Sequence, residues 1–278
     1  MKKICAGIFL AACSATANAD APLPLWEAGG SLSLLDYPDY RGATHRNVFG
    51  LPLPYVVYRG DRFRITREGA KAKLLERNRL HIDLSVAASL PGRNSDDSPR
   101  KGMPNLLPTF EAGPSFDWWL TDRVPGDWNW RLRLPVRAVA GFNVTHSRRV
   151  GWLAHPYVQV DHTTKLGDWD FDTSASVGAS WATRSYHQYF YQVDPQYATP
   201  TRPAYEASAG YSGARVTLYG SVAKGRWRFG AGVSEDWLDG VAFRDSPLVQ
   251  TRSALVVGAF VIYRVWASDR TVGEDVPP

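Results

Sequence analysis

Read with a period of two, Trp128 to Phe142 separates into two residue sets. Trp128, Trp130, Leu132, Leu134, Val136, Ala138, Ala140 and Phe142 form one, and Asn129, Arg131, Arg133, Pro135, Arg137, Val139 and Gly141 the other. Successive side chains of a strand point to opposite faces, so this is an apolar face backed by three arginines. A strand crossing a bilayer needs roughly 9 to 11 residues and an interfacial aromatic, which this stretch supplies. The pattern predicts an all-β fold, a transmembrane antiparallel up-and-down β-barrel.

The same alternation recurs along the chain. Leu80 to Leu90 sets Leu80, Ile82, Leu84, Val86, Ala88 and Leu90 against His81, Asp83, Ser85, Ala87 and Ser89. Trp169 to Trp181 opposes Trp169, Phe171, Thr173, Ala175, Val177, Ala179 and Trp181 to aspartates, serines and a glycine, a small polar side that suits a lumen. Weaker versions run over Trp26 to Leu35, Phe49 to Tyr58, Thr109 to Leu120, Ala154 to His162, Arg215 to Ala223, Trp227 to Glu235 and Ala254 to Trp266. Between Asp61 and Arg77 the apolar phase shifts from odd to even positions. Breaking that stretch at Glu68-Gly69 into two short strands restores the phase and predicts about twelve strands. Tyr205 to Gly213 is a candidate for one more.

With twelve strands, connections after odd strands are mostly long: Asp36 to Asn47, Pro91 to Leu106, Asn143 to Gly151, Arg184 to Pro203 and Leu238 to Arg252. Those after even strands, such as Arg59-Gly60, Lys165 to Asp168 and Lys224-Gly225, are short. Short periplasmic turns and long outer loops are the barrel asymmetry, and predict both termini in the periplasm. All eleven tryptophans then lie near strand ends as two aromatic girdles. Trp26, Trp118, Trp119, Trp128, Trp130, Trp169, Trp227 and Trp266 fall at the turn rim, and Trp152, Trp181 and Trp237 at the loop rim. The competing reading is a soluble β-sandwich with tryptophans in its core.

The N-terminus, MKKICAGIFLAACSATANAD, has two lysines, an apolar run and Ala17 and Ala19 before Asp20, the form of a secretory signal ending at residue 19. Leu10-Ala11-Ala12-Cys13 offers a second reading, cleavage that leaves Cys13 lipidated. With the first cut, residues 20–278 form a single barrel domain with a short periplasmic tail, 267–278. Both cysteines, Cys5 and Cys13, are removed, so disulfides and thiolate metal sites are excluded. Loss of Lys2 and Lys3 leaves 30 basic residues against 27 acidic, a net charge of about +3 that points to no nucleic acid. No later segment reaches the roughly 18 apolar residues of a membrane helix.

Within Gly258 to Tyr263, Gly258, Val261 and Tyr263 have the spacing of a terminal-strand signal for the barrel-assembly machinery, followed here by a polar tail. Further motifs run in order along the chain: Asp36-Tyr37-Pro38-Asp39-Tyr40-Arg41-Gly42, Leu51-Pro52-Leu53-Pro54-Tyr55, Tyr58 to Phe63, and Gly92-Arg93-Asn94 with its acidic loop. After them come Pro108 to Gly113, Pro203-Ala204-Tyr205-Glu206-Ala207, and Gly240 to Val249. In this order the chain resembles the MltA-interacting protein and OmpV group of outer-membrane proteins. The resemblance implies a non-enzymatic outer-membrane barrel without cofactor, a scaffold between a murein-cleaving transglycosylase and a murein synthase. Other members resemble surface proteins or permeability factors, so a narrow small-solute channel is the alternative.

The remaining chemistry is of four kinds. Arg131, Arg133 and Arg137 face the lumen with Asp161, Asp170 and Asp172 on the next strands. They form either a charged constriction selecting anions or cross-strand pairs that fill a narrow barrel. Asp168, Asp170 and Asp172 share a face and suit a hard cation, yet no glycine-rich ligand loop accompanies them. His81 with Ser85, or His155 and His162 near serines, offer nucleophile and base pairs without an orienting third group. The mixed charges of Arg93 to Lys101 suit a solvated loop or lipopolysaccharide phosphates at the outer-membrane lipid surface.

Overall fold

The computed structural model of the chain describes residues 23–60, 63–66, 69–77, 79–89, 98–124, 126–142 and 147–272. The expected signal with Cys13, most of the acidic loop after Gly92, and residues 273–278 of the tail lie outside the described residues. No described helix is long and apolar enough to cross a membrane.

Thirteen strand segments form one antiparallel sheet that closes on itself. In chain order they are β1 (Trp26–Pro38), β2 (Arg46–Arg59), β3 (Phe63–Thr66), β4 (Gly69–Arg77), β5 (Leu80–Ser89), β6 (Thr109–Trp119), β7 (Trp128–Phe142), β8 (Ser147–Ala154), β9 (Tyr157–Leu166), β10 (Trp169–Ala182), β11 (Gly210–Lys224), β12 (Trp227–Trp237) and β13 (Ser253–Ala267). Apart from β8 and β9, which do not pair with each other, each pairs with its sequence neighbour, and β13 returns to pair with β1. β8 and β9 both run against β7, one beside Val136 to Phe142 and the other beside Trp128 to Arg133. They are two halves of one crossing, broken at His155-Pro156, where proline cannot donate to the ladder. The barrel therefore has twelve crossings, as the alternation and the break near Glu68 predicted.

The burial pattern decides between a barrel and a sandwich. Leu32 and Leu34 are each 56% exposed, whereas Arg133 is 3% and Ser115 0% exposed. A soluble protein buries its leucines and solvates its arginines; this sheet does the reverse, as a hydrocarbon-facing wall around a polar lumen requires. Ten of the eleven tryptophans are exposed on the outer face at strand ends. Trp119 is the correction: it is buried on the lumenal side, with the guanidinium of Arg131 5.1 Å from its ring centroid. Adjacent residues of one strand cannot share a face, and Trp118 takes the outer one. Of the assembly-signal residues, Val261 and Tyr263 lie on the outer face of β13 and Gly258 on the inner one, as the strand's alternation dictates.

Two connections differ from the sequence expectation. The β7–β8 connection is shorter than 143–151, because the ladder continues through Ser147 to Ala154. Tyr205 to Gly213 adds no strand; Tyr205 forms a single bridge to Val193, and β11 starts at Gly210. The β10–β11 connection is ordered as a helix, α1 (Arg184–Tyr191), and a 3-10 turn (Pro195–Tyr197). At the other end the termini pair: Leu25 N–H bonds to Arg270 C=O at 2.8 Å and Val272 N–H to Leu23 C=O at 2.7 Å.

Gly151 seats α1 against the wall. An extra residue bulges β8 opposite Val139 and Ala140, and Gly151 takes φ of +150°, where L side chains are strained. A Cβ there would lie 2.4 Å from Thr183 Oγ1 and 2.8 Å from the Tyr186 backbone nitrogen. Gly151→Ala is expected to destabilise the α1 seat by about 1–3 kcal/mol. Hydrogen exchange should then rise over 184–191 while the barrel keeps its heat-modifiable migration on gels.

Candidate functional site

The lumenal arginines are paired. Arg131 lies 3.1 Å from Asp161, Arg133 2.9 Å from Asp117, and Arg137 3.4 Å from Glu111, with its Nε donating to Ser85 Oγ at 3.1 Å. Asp172 pairs with Arg228 and accepts a hydrogen bond from Ser221. Asp170 is half-buried on the same face, opposite Lys165 across the β9–β10 ladder. The structure thus joins Arg131 with Asp161, but Arg133, Arg137 and Asp172 each find a partner outside the predicted set. Across-strand neighbours dictate this: Asp117 stands opposite Arg133, and Glu111 stands opposite Val139, the next residue on the same face of β7 as Arg137. A buried arginine left alone costs several kcal/mol, so each takes the nearest carboxylate.

Above this network the long connections fold inward as a cap. Its apolar centre joins Tyr40 and Ala43 from the first loop, Leu106 from the third, Tyr186, Tyr189, Tyr191 and Val193 from the α1 segment, and Leu238, Val241, Phe243 and Leu248 from the last loop. Tyr191 stacks on Phe243 with centroids 3.6 Å apart, its hydroxyl donating to Arg41 C=O at 3.1 Å, and Tyr40 donates to Leu248 C=O at 2.7 Å. Burial raises the hydroxyl pKa of Tyr40 and Tyr191 and pushes that of Tyr186 up to about 12. Arg41 binds the cap to the wall: it lies 3.2 Å from Asp236, which also accepts from Arg215 at 2.9 Å. Burial opposes the Arg41 charge, and the Asp236 carboxylate outweighs it. His187, fully buried, lies 2.6 Å by Nδ1 from Ser208 C=O and 3.1 Å by Nε2 from Ser212 Oγ. A carbonyl only accepts, so Nδ1 carries the proton and Nε2 accepts from the serine.

The other candidates fall apart as sites or into different places. His155 Nδ1 and Ser180 Oγ are 2.7 Å apart, with Ser180 buried and His155 half-buried, but among the described residues no carboxylate hydrogen-bonds the other ring nitrogen. Ser85 is engaged by Arg137 and donates to Gly113 C=O, away from His81. His162 stacks on Trp128 at 4.5 Å at the turn rim. Asp168 lies 3.5 Å from Lys224, and no described cluster of three His, Cys, Asp or Glu could hold a metal.

The sequence model described as MltA-interacting protein MipA matches residues 32–265. The chain belongs to this family. No curated protein matches it. Among solved structures, OccK11 (OpdR) of Pseudomonas aeruginosa is 11% identical over 87% of this chain and 97% of that one, with a TM-score of 0.18 that carries no argument. Three of the motifs that suggested the MipA family build the cap: Tyr40 and Arg41, Ala207, and Val241, Phe243, Ser246 and Leu248 are all buried there or nearly so. What the sequence reading lacked was α1. Four aromatic residues among 186–191 of a supposed outer loop were its available signal.

Two outcomes follow from this geometry. Arg133→Ala, which strands buried Asp117, should destabilise the barrel by about 3–5 kcal/mol in urea unfolding, and Arg133→Leu with Asp117→Leu should recover most of it. Burial holds the His187 pKa below its ordinary value. The folded state therefore binds fewer protons than the unfolded one, so its stabilisation is complete above about pH 6.5 and declines as pH falls below that. Hydrogen exchange over 184–191, corrected for intrinsic rates, should rise from pH 7.5 to pH 5.5 in wild type and stay level in His187→Gln; a level wild type would contradict the assignment.

Proposed function

We propose that this MipA-family barrel is a non-enzymatic outer-membrane protein that acts through its surface, holding a murein transglycosylase and a murein synthase at the membrane. The observation that carries this reading is how the described side chains fill the axis. Lumenal charges are spent on one another and the loop mouth is covered by aromatic side chains, which leaves surfaces as the means of action. The family description, MltA-interacting protein, supplies the class of partner. With the long loops outward and both termini in the periplasm, the wall enzymes would meet the turn end. There the paired terminal segments, the β6–β7 turn at Asp122 and the β11–β12 turn at Arg226 present polar, exposed side chains.

Photo-crosslinking residues placed at Asp122, Arg226 and Arg270, and at the cap residues Asp239 and Arg244, test this in intact cells. The reading predicts that the turn-end positions capture a murein transglycosylase and the cap positions do not. Capture from the cap alone, or none from either end with the enzyme present, would overturn it.

A further inference from the structure

Among the described residues the barrel wall has a notch. β3 and β4 form a short hairpin that meets β2 only at Tyr58 and Arg59, and β4 pairs with β5 no higher than Ser85. Among the described residues, 46–57 of β2 pair with β1 on one side and with no strand on the other. Among the described residues the wall beside them lacks two strands, roughly 10 Å at about 4.8 Å per strand. Leu32 and Leu34 stand opposite Pro52 and Gly50 and are exposed on the outer face, so the notch lies at hydrocarbon height.

The edge is built for contact other than strand pairing. Asp39 N–H bonds to His45 C=O and Arg59 N–H to Leu25 C=O, in register with the β1–β2 ladder, so odd residues of β2 bond to β1. Even residues turn their backbone groups to the open side. Pro52 and Pro54 are even, so a strand added here would meet no donor at two successive pairing positions. The same absence leaves fewer unpaired N–H groups facing hydrocarbon.

The inner side of this edge is apolar where the rest of the lumen is charged. Tyr55 and Val57 are buried against Ile262 and Phe260, and the alternation places Phe49, Leu51 and Leu53, all half-buried, on the same inner face. Between β2 and β13, β1 contributes Gly29, Ser31 and Ser33 to the middle of that face, a trough floored by small residues, bounded by Glu27 toward the turn end and by buried Leu35 toward the loop end, and flanked by large apolar side chains of β2 and β13. The outer face of β2 is also apolar: Val48, Pro52, Pro54 and Val56. Apolar surface thus continues from the membrane around the free edge into the lumen.

We propose that this trough binds an acyl chain of the surrounding bilayer, admitted sideways between β2 and β5. The cap closes the loop end, so the lateral notch is the entrance that hydrocarbon can use without crossing water. This does not depend on the murein-enzyme reading.

The test uses the full chain with Cys5 and Cys13 replaced by alanine, reconstituted in phosphatidylcholine brominated at mid-chain. A bimane label is placed on Leu51→Cys or Leu53→Cys in the trough, on Leu32→Cys facing lipid, and on Ser174→Cys in the polar lumen. Folding is checked for each by heat-modifiable migration. Loss of fluorescence at Leu51 or Leu53 approaching that at Leu32, with none at Ser174, is expected. Adding Phe49→Asp should abolish the loss in the trough and leave that at Leu32. Labels in the trough as bright as at Ser174 would overturn the proposal, as would trough quenching unaffected by Phe49→Asp. So would a crosslinked dimer through the β2 edge accompanied by unquenched labels, which would make a second copy the occupant.

Discussion

A strand immersed in hydrocarbon has no water to satisfy its backbone, so every N–H and C=O must be paired within the protein or removed. Most of this architecture follows. The sheet closes by pairing β13 with β1, the crossing made by β8 and β9 tolerates its break because Pro156 has no donor to leave unpaired, and β2 carries Pro52 and Pro54 along the stretch of its edge that no described strand meets. The constraint acts on the outer wall, and it leaves the lumen free to be polar.

Inside, two environments divide the wall. From β5 to β12 the inner face holds arginines and carboxylates that neutralise one another across neighbouring strands, and the loop end of this half runs into the cap through Arg41, Arg215 and Asp236. On β13, β1 and β2 the middle of the inner face is uncharged, with small residues of β1 between apolar side chains of β2 and β13, and Glu27 near the turn end is engaged by Arg59 and Tyr55. The charged half needs the cap because a water-filled mouth would weaken its ion pairs, and the cap needs the charged half because Arg41 can be buried only beside Asp236. Mouth and lumen are therefore one cooperative unit.

The barrel was legible in the sequence because alternation is a local signal repeated in every strand, and even the weak break at Glu68-Gly69 could be placed by its phase. Trp119 departs from the girdle because parity within its strand, which sends it inward, decides its face over its proximity to the strand end. The arginines were legible as lumenal, but their partners were not: choosing Asp117 for Arg133 needs the register of β6 against β7, which no local pattern carries. The cap was hidden for the same reason. Tyr40, Tyr191, Phe243 and Leu248 are scattered over some two hundred residues and meet only when the sheet has closed. β2, read as a weak alternating strand, was weak because both its faces are apolar.

The claim on which the account rests is that the lumen offers no continuous aqueous path while the cap is seated. Single-channel recording of the folded full chain in a planar bilayer at neutral pH measures this directly. The account predicts no discrete conductance steps from protein verified as folded by circular dichroism. Discrete steps whose ion selectivity shifts in Arg131→Ala with Arg133→Ala would contradict it and identify the paired charges as the lining of an open pore.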